Sequence, residues 1–288
     1  MTRHLISTRH LERNDLYRLW QMATEERAAN TKPLSQTVSL LFESPSTQTK
    51  FGFELAALEL GARTIDLNGS TSRLASGESL EDSLHTMQQM SEHTTVVRTR
   101  QALATMDLDC MRVINAGDAV EHPTQALVDL FSIATLMNQS LRDLGDFTLY
   151  CCIGQGGPLR PIVSLAWLLE TLGRGRILLF AEQDLPELNL PRLSKVCKWS
   201  PSISDASGNP AFGYIVESFS AQGNLQRSDW VAERLKEMAD LPNLHPLPRL
   251  EAKEITIKDS TPGNAVSTQL KLQIPVKKST LRWIAEDR

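Results

Sequence analysis

Short β-rich runs and helix-like segments alternate along most of this chain, and that alternation leaves few architectures open. Thr37-Val38-Ser39-Leu40-Leu41-Phe42 is rich in β-formers. A polar turn follows it, then Phe51, Phe53, Leu55 and Leu58 with alanines up to Gly61, which reads as strand, turn, helix and glycine stop. Thr64-Ile65-Asp66-Leu67 predicts a second strand, and a polar loop runs from Asn68 to Gly77. A helix with Leu80, Leu84 and Met87 on one face starts at Glu78, and Thr94 to Val97 reads as strand again. Ahead of these, Asn14 is a candidate N-cap for a first helix carrying Leu16, Leu19 and Met22. Strands joined by helices at this spacing pair in parallel, with right-handed crossovers.

The rhythm restarts after Leu144-Gly145-Asp146. Phe147 to Ile153 reads as a fully buried strand, and further buried runs occur at Ile177 to Phe180, Gly213 to Val216 and Leu241 to His245. Helix-like segments at Ile162–Leu172 and Trp230–Ala239 separate them. A helix-like stretch from Thr124 to Met137 and the polar Asn138-Gln139-Ser140 put a boundary near 140. The 288 residues exceed one average core and suit two. The expectation is an α/β fold of two doubly wound parallel-sheet domains. Residues 1–140, joined by a C-terminal helix within 263–288, form one, and residues 141–262 form the other.

Thirty Lys and Arg against thirty-four Asp and Glu leave a formal charge of -4, so no global basic field attracts nucleic acid or an anionic membrane. Any bound anion must be held by local arrangement. The longest apolar stretch, Ile162 to Leu169, is far short of the ~20 residues of a membrane span. The N-terminus lacks the apolar core of a secretory signal, so the expected location is cytoplasmic. Cys110, Cys151, Cys152 and Cys197 form no Cys-x-x-Cys pair and have no His at ligand spacing; they read as small buried hydrophobes, with neither metal nor disulfide expected.

Four segments could carry chemistry. Ser44-Pro45-Ser46-Thr47-Gln48-Thr49-Lys50 lies where a strand hands over to a helix, so backbone N–H groups, the helix dipole and hydroxyls converge there as in a phosphate cradle. Taken alone, it is more often a helix start capped by Ser46 or Thr47. In Asn115 to Gln125, Pro123 suits the first helical position and places His122 at the N-cap, where the dipole disfavours the imidazolium. A neutral ring there can donate to a carbonyl, with Gln125 in reach; taken alone, this is a capping His in a surface loop. In Leu244-His245-Pro246-Leu247-Pro248-Arg249 two prolines hold an extended backbone whose carbonyls stay free to accept from an amine. Gly154-Gln155-Gly156-Gly157-Pro158-Leu159 imitates half a dinucleotide fingerprint. Leu159 stands where a small residue belongs, and Glu182 lies beyond the ~20-residue spacing, so nucleotide binding is not the reading.

Together and in this order the segments resemble the aspartate/ornithine carbamoyltransferase family. Phe42 to Glu54 is similar to its Phe-x-x-x-Ser-Thr-Arg-Thr-Arg-x-Ser-Phe-Glu signature, and Gly77-Glu78-Ser79-Leu80-Glu81-Asp82 to its Gly-Glu-Ser/Thr-x-x-Asp segment. Arg98 falls on the family's arginine after a strand, and Asn115 to Leu130, with its His122-Pro123-Thr124-Gln125-Ala126-Leu127 run followed by Asp129-Leu130, resembles the family most. His245-Pro246-Leu247-Pro248-Arg249 is similar to the family's aspartate-type motif. The resemblance implies carbamoyl transfer to the amine of an amino acid, with a first domain for carbamoyl phosphate and a second for the amino acid. It implies no metal or organic cofactor. The implied assembly is a homotrimer with shared active sites, in which loop Ser70 to Gly77 reaches a neighbouring subunit. By the same likeness Ser46, Thr47 and Thr49 hold phosphate, Arg98 bridges phosphate and carbonyl, and His122 with Thr49 polarises the carbonyl. Gln125 fixes the carbamoyl amide, while Arg160, Pro246 and Leu247 contact the second substrate.

The departures fall in the site. Gln48 stands in place of the phosphate-clamping arginine, Ser76 in place of the lysine from the neighbouring subunit, and Glu217 close to the arginine for the amino acid's carboxylate. Loss of one donor to a transition-state charge costs ~2.7–4 kcal/mol. Three readings follow. The first is a carbamoyltransferase with an altered amine substrate, in which Lys50 or Arg73 supplies replacement charge. The second is a catalytically inactive homologue serving as a binding or assembly partner. The third is a same-fold enzyme of specialised metabolism using another acyl or anionic substrate. The retained His122, Gln125, Arg98 and Arg160 favour a surviving ligand site and the first reading for class.

Overall fold

The structure is a computed structural model that describes residues 3–27, 33–34, 36–44, 46–68, 77–108, 111–154, 159–181, 193–199, 211–216, 218–219, 225–226, 229–246 and 265–286. The chain forms two compact units: residues 1–128 with 271–288, and residues 129–270.

In the first unit α1 (Arg13–Arg27) opens ahead of Asn14, which therefore lies inside the first turn. The Asp15 carboxylate takes the capping role by accepting from the Glu12 backbone N–H at 3.0 Å. The chain continues through β1 (Thr37–Phe42), α2 (Thr47–Glu59), β2 (Arg63–Asn68), α3 (Leu80–Met90) and β3 (Thr94–Arg98), all within a residue or two of where the patterns place them. Next come β4 (Arg112–Asn115) and α4 (Pro123–Leu136). The sequence pattern does not mark β4, because four residues are too few for a readable period. The strands lie in the order β2-β1-β3-β4, all parallel. Leu41, Leu80, Leu84, Val97 and Val113 pack into one core, each buried side chain contributing roughly 1.5–3 kcal/mol.

The second unit holds β5 (Thr148–Ile153), α5 (Arg160–Leu172), β6 (Arg176–Ala181), β7 (Cys197–Trp199), β8 (Ala211–Val216), β9 (Ser218–Phe219), β10 (Leu225–Gln226), α6 (Asp229–Glu237) and β11 (Asn243–Leu244). A parallel sheet runs β11-β8-β5-β6-β7, and β9 pairs antiparallel with β10. Central β5 is buried at every residue, which is why it reads as an unbroken apolar run without alternation. Tyr150, Cys152, Phe180, Ile215 and Met238 form the core on one side.

The last helix, α7 (Ala265–Ala285), carries the chain back into the first unit from residue 271. There Lys278 reaches Glu26 of α1 at 2.7 Å, and Arg282 hydrogen-bonds the same buried carboxylate. Two donors on one fully desolvated acid hold α7 against α1.

Candidate active site

The site of the first unit is built at the carboxyl ends of three neighbouring strands. Arg98 is the last residue of β3 and pairs in register with Phe42, the last of β1. The Glu43 N–H donates to the Arg98 carbonyl at 2.9 Å, so the turn leaving β1 is tied to the end of β3. After that turn Ser46 takes the N-cap position of α2. Its hydroxyl caps no backbone N–H and donates to Thr49 Oγ1 at 2.9 Å instead. The capping role that segment alone suggests is therefore not what Ser46 does, and the first-turn N–H groups keep their donors for an anion. Thr47 and Gln48 are exposed on that turn, with Thr49 half-buried beside them.

The turn after β4 completes the arrangement. Asn115 donates to the Ile6 carbonyl at 2.8 Å and accepts from the Gly117 N–H at 2.8 Å. Gly117 sits at φ +113, and a Cβ there would lie 2.7 Å from Arg98 Nη1 and 3.0 Å from His122 Cδ2. Only glycine tolerates both the backbone conformation and the approach. Asp118 then accepts from the N–H groups of Val120 and Glu121 at 2.7 Å each, a tight turn that delivers His122 to the N-cap of α4.

Arg98 Nη1 donates to the Ala116 carbonyl at 3.0 Å and faces His122 Nε2 at 3.4 Å. A guanidinium has donors only, so the tautomer that can accept this contact is a neutral ring with its proton on Nδ1, which lies 3.4 Å from Thr124 Oγ1. The cation against the ring and the helix dipole both disfavour the imidazolium. Gln125 is buried in the first turn of α4, and its Oε1 accepts from Gln273 Nε2 of α7 at 3.4 Å. Lys50, a candidate replacement cation, pairs with Asp66 at 2.6 Å.

The second unit carries two further candidates, also at strand carboxyl ends. Arg160 is the first residue of α5 after β5, and Pro246 follows β11. The backbone leading to Pro246 is clamped by Gln269, whose Oε1 accepts from the His245 N–H at 3.0 Å while its Nε2 donates to the His245 carbonyl at 3.1 Å. Fully buried Asp129 holds Gln269 at 2.6 Å and accepts from the Tyr214 hydroxyl at 2.7 Å. Ser76, Arg73, Leu247, Glu217, Glu182, Cys110 and most of the Gly154 to Leu159 segment lie outside the described residues.

Several contributors escape the sequence patterns. Gln269, Gln273 and Lys277 lie on α7, far along the chain from the motifs they serve. Their only trace is a run of polar residues where a helix returning to a core should be apolar. Among the described residues no group of three His, Cys, Asp or Glu is placed to hold a metal ion, and no helix is long and apolar enough to cross a membrane. Cys151, Cys152 and Cys197 are buried in the second sheet, as expected of small hydrophobes.

Hydroxyls, a helix amino end and an arginine–histidine pair at the carboxyl edge of a parallel sheet supply what an anion with an adjacent carbonyl needs, the pattern of open α/β proteins that bind phosphorylated ligands. Residues 3–135 match the family described as aspartate/ornithine carbamoyltransferase, carbamoyl-P binding domain. The aspartate carbamoyltransferase catalytic subunit of Clavibacter michiganensis is 33% identical over 223 residues, covering 72% of this chain and 70% of that subunit. The corresponding subunit of Clavibacter sepedonicus is 37% identical over 186 residues, and the match spans only 58% of its length. Among solved structures, Trypanosoma cruzi aspartate transcarbamoylase in complex with carbamoyl aspartate and phosphate superposes with TM-score 0.71 at 22% identity, covering 98% of this chain and 95% of that one. Pyrococcus furiosus ornithine carbamoyltransferase gives 0.75 at 18% identity, covering 100% and 98%. The chain belongs to the aspartate/ornithine carbamoyltransferase family.

Proposed function

We propose that the protein transfers a carbamoyl group from carbamoyl phosphate to the amine of an amino acid or related compound, in a site adapted to a changed set of cations. The observation that carries this reading is the Arg98–His122 pair held together over Gly117 beside the uncapped start of α2. The amine nitrogen attacks the carbonyl carbon, the new C–N bond forms, the bond to the phosphate oxygen breaks, and phosphate departs with the electron pair as the amine loses a proton. Ser46, Thr47, Thr49 and the N–H groups of α2 receive the phosphate, and Arg98 spans phosphate and carbonyl oxygen. A carbonyl oxygen that takes the Arg98 N–H releases His122 Nε2 from it, and the ring then donates to that oxygen as the other tautomer. Gln125 orients the carbamoyl amide. Arg160, Pro246 and Leu247 receive the amine substrate in the second unit, and the assembly is a homotrimer.

Calorimetric titration with carbamoyl phosphate tests the reading, followed by an assay for ureido product over a panel of amines that includes aspartate and ornithine. Binding in the micromolar to low millimolar range with product from at least one amine supports it. Gln48→Arg should then tighten carbamoyl phosphate binding by about tenfold or more, since a hydrogen bond to a charged group is worth ~1.5–3 kcal/mol. The exposed amide of Gln48 and the engagement of Lys50 by Asp66 favour one second reading, an inactive homologue acting as a binding partner. Binding without product from any amine would select it, and absence of binding at millimolar concentration would overturn the carbamoyl-phosphate assignment.

A further inference from the structure

Lys277 is a charged residue that neither the motifs nor the mechanism uses. It lies on α7 and is 4% exposed. Its stem passes α2 where a Cβ on Gly52 would come within 2.9 Å of Lys277 Cε, so the glycine that replaces the signature's serine makes room for it. Nζ lies 5.7 Å from the centroid of the Phe53 ring and donates to Gln273 Oε1. Gln273 in turn donates through Nε2 to Gln125 Oε1.

The charges on the surrounding elements are engaged elsewhere or exposed. On α2, Lys50 pairs with Asp66, Glu59 approaches Lys278 at 3.5 Å, and Glu54 is exposed. On α4 the acid is Asp129, held by Tyr214 and Gln269, and His122 at its N-cap faces Arg98. On α7, Lys278 and Arg282 share Glu26, and Lys271 is exposed. Among the described residues no carboxylate lies within ion-pair distance of Lys277.

This relay has a direction. An ammonium only donates, so a charged Lys277 obliges Gln273 to turn its oxygen toward Nζ and its NH2 toward Gln125, and Gln125 must then answer with its oxygen. An uncharged amine can also accept, which lets both carboxamides reverse. We infer that Lys277 is a positioning residue which, through Gln273, sets the orientation of the Gln125 carboxamide and so ties recognition of the carbamoyl amide to the charge on Lys277. The inference rests on the reading of Gln125 as the carbamoyl-amide contact. Burial pulls the Lys277 ammonium down from 10.5 to about 7, which puts the change of charge within the neutral range.

Two measurements on the full-length protein test this. The first is the pH dependence of the Gln125 side-chain amide resonances without ligand, assigned by their loss in Gln125→Glu. The second is carbamoyl phosphate affinity from pH 6 to 9. In the wild type the amide signals should move with a midpoint near neutrality, and affinity should fall about fivefold across it, the worth of one neutral hydrogen bond. In Lys277→Met both limbs should vanish, whereas Lys271→Met should keep them. Gln273→Glu, whose carboxylate only accepts, should keep Lys277 charged to higher pH yet bind weakly throughout, which loss of packing alone does not produce. Amide signals unchanged between pH 6 and 9, or a Lys277→Met profile that superposes on the wild type, would overturn the inference. If the signals titrate with Lys277 and carbamoyl phosphate does not bind, the relay stands and the proposed substrate falls.

Discussion

Replacing Lys277 by methionine should stabilise the protein, and the gain should depend on pH in a defined sense. Lys277 is charged in the unfolded chain up to about its ordinary 10.5 but only up to about 7 in the fold, because burial beside Phe53 and Gly52 strips the ammonium of water. Below pH 7 both states carry the proton and the penalty is constant. Between those values the unfolded chain binds more protons than the native one, so stability rises with pH; above 10.5 the penalty is gone. At ~1.36 kcal/mol per pH unit of that interval the penalty at pH 6 is on the order of 5 kcal/mol. Methionine keeps most of the stem's contacts but leaves Gln273 Oε1 without its donor, a loss of ~1–3 kcal/mol. The net expectation is a gain of roughly 2–4 kcal/mol at pH 6, shrinking steadily toward pH 10. Urea unfolding of both proteins at pH 6, 8 and 10 reads it. A variant less stable than wild type at pH 6, or a difference that does not change between pH 6 and 10, would refute the argument that Lys277 is a buried cation without a carboxylate partner among the described residues.

Further outcomes follow from other contacts. Gly117→Ala should destabilise by ~1–3 kcal/mol through its backbone conformation, and should weaken carbamoyl phosphate binding at least tenfold, because the new methyl displaces Arg98 Nη1; calorimetry and thermal unfolding check the two halves. Tyr214→Phe removes a donor from buried Asp129 and should lower the urea midpoint by an amount corresponding to ~1.5–3 kcal/mol. Burial lifts the Cys151 thiol well above its ordinary range and that of Cys197 to about 12, so both should stay unlabelled by a thiol-specific reagent at pH 8 until the protein unfolds, as peptide mass spectrometry will show.

Much of the fold is legible in the chain because its signals are local. The β1, β5, β6 and β8 runs are apolar over lengths that fit strands, Gly61 stops a helix at positive φ, and Pro123 marks the start of α4. What fails is what is short or borrowed. β4 and β7 span four and three residues, too few for any period, and become strands because β3 and β6 offer them open edges. Asn14 resembles a cap, but the helix starts ahead of it because Asp15 answers the Glu12 N–H.

The candidate site divides in the same way. Ser46, Thr49, His122 and Gln125 lie at a strand-to-helix turn and at a His-Pro helix start, each of which alone reads as a capped helix start, and only the ordered likeness to the carbamoyltransferase family singles them out, with Arg98, as candidates. By itself the sequence determined the α/β class and the alternation of strands and helices, since each depends on neighbours a few positions apart. Three matters were decided only in the tertiary structure. Lys50 is engaged by Asp66, Arg98 faces His122 across Gly117, and a buried lysine stands behind Gln125 through Gln273. Hydration and hydrogen-bond polarity are properties of an environment, and these environments are assembled from segments as far apart as Gly52, Gln125 and Lys277.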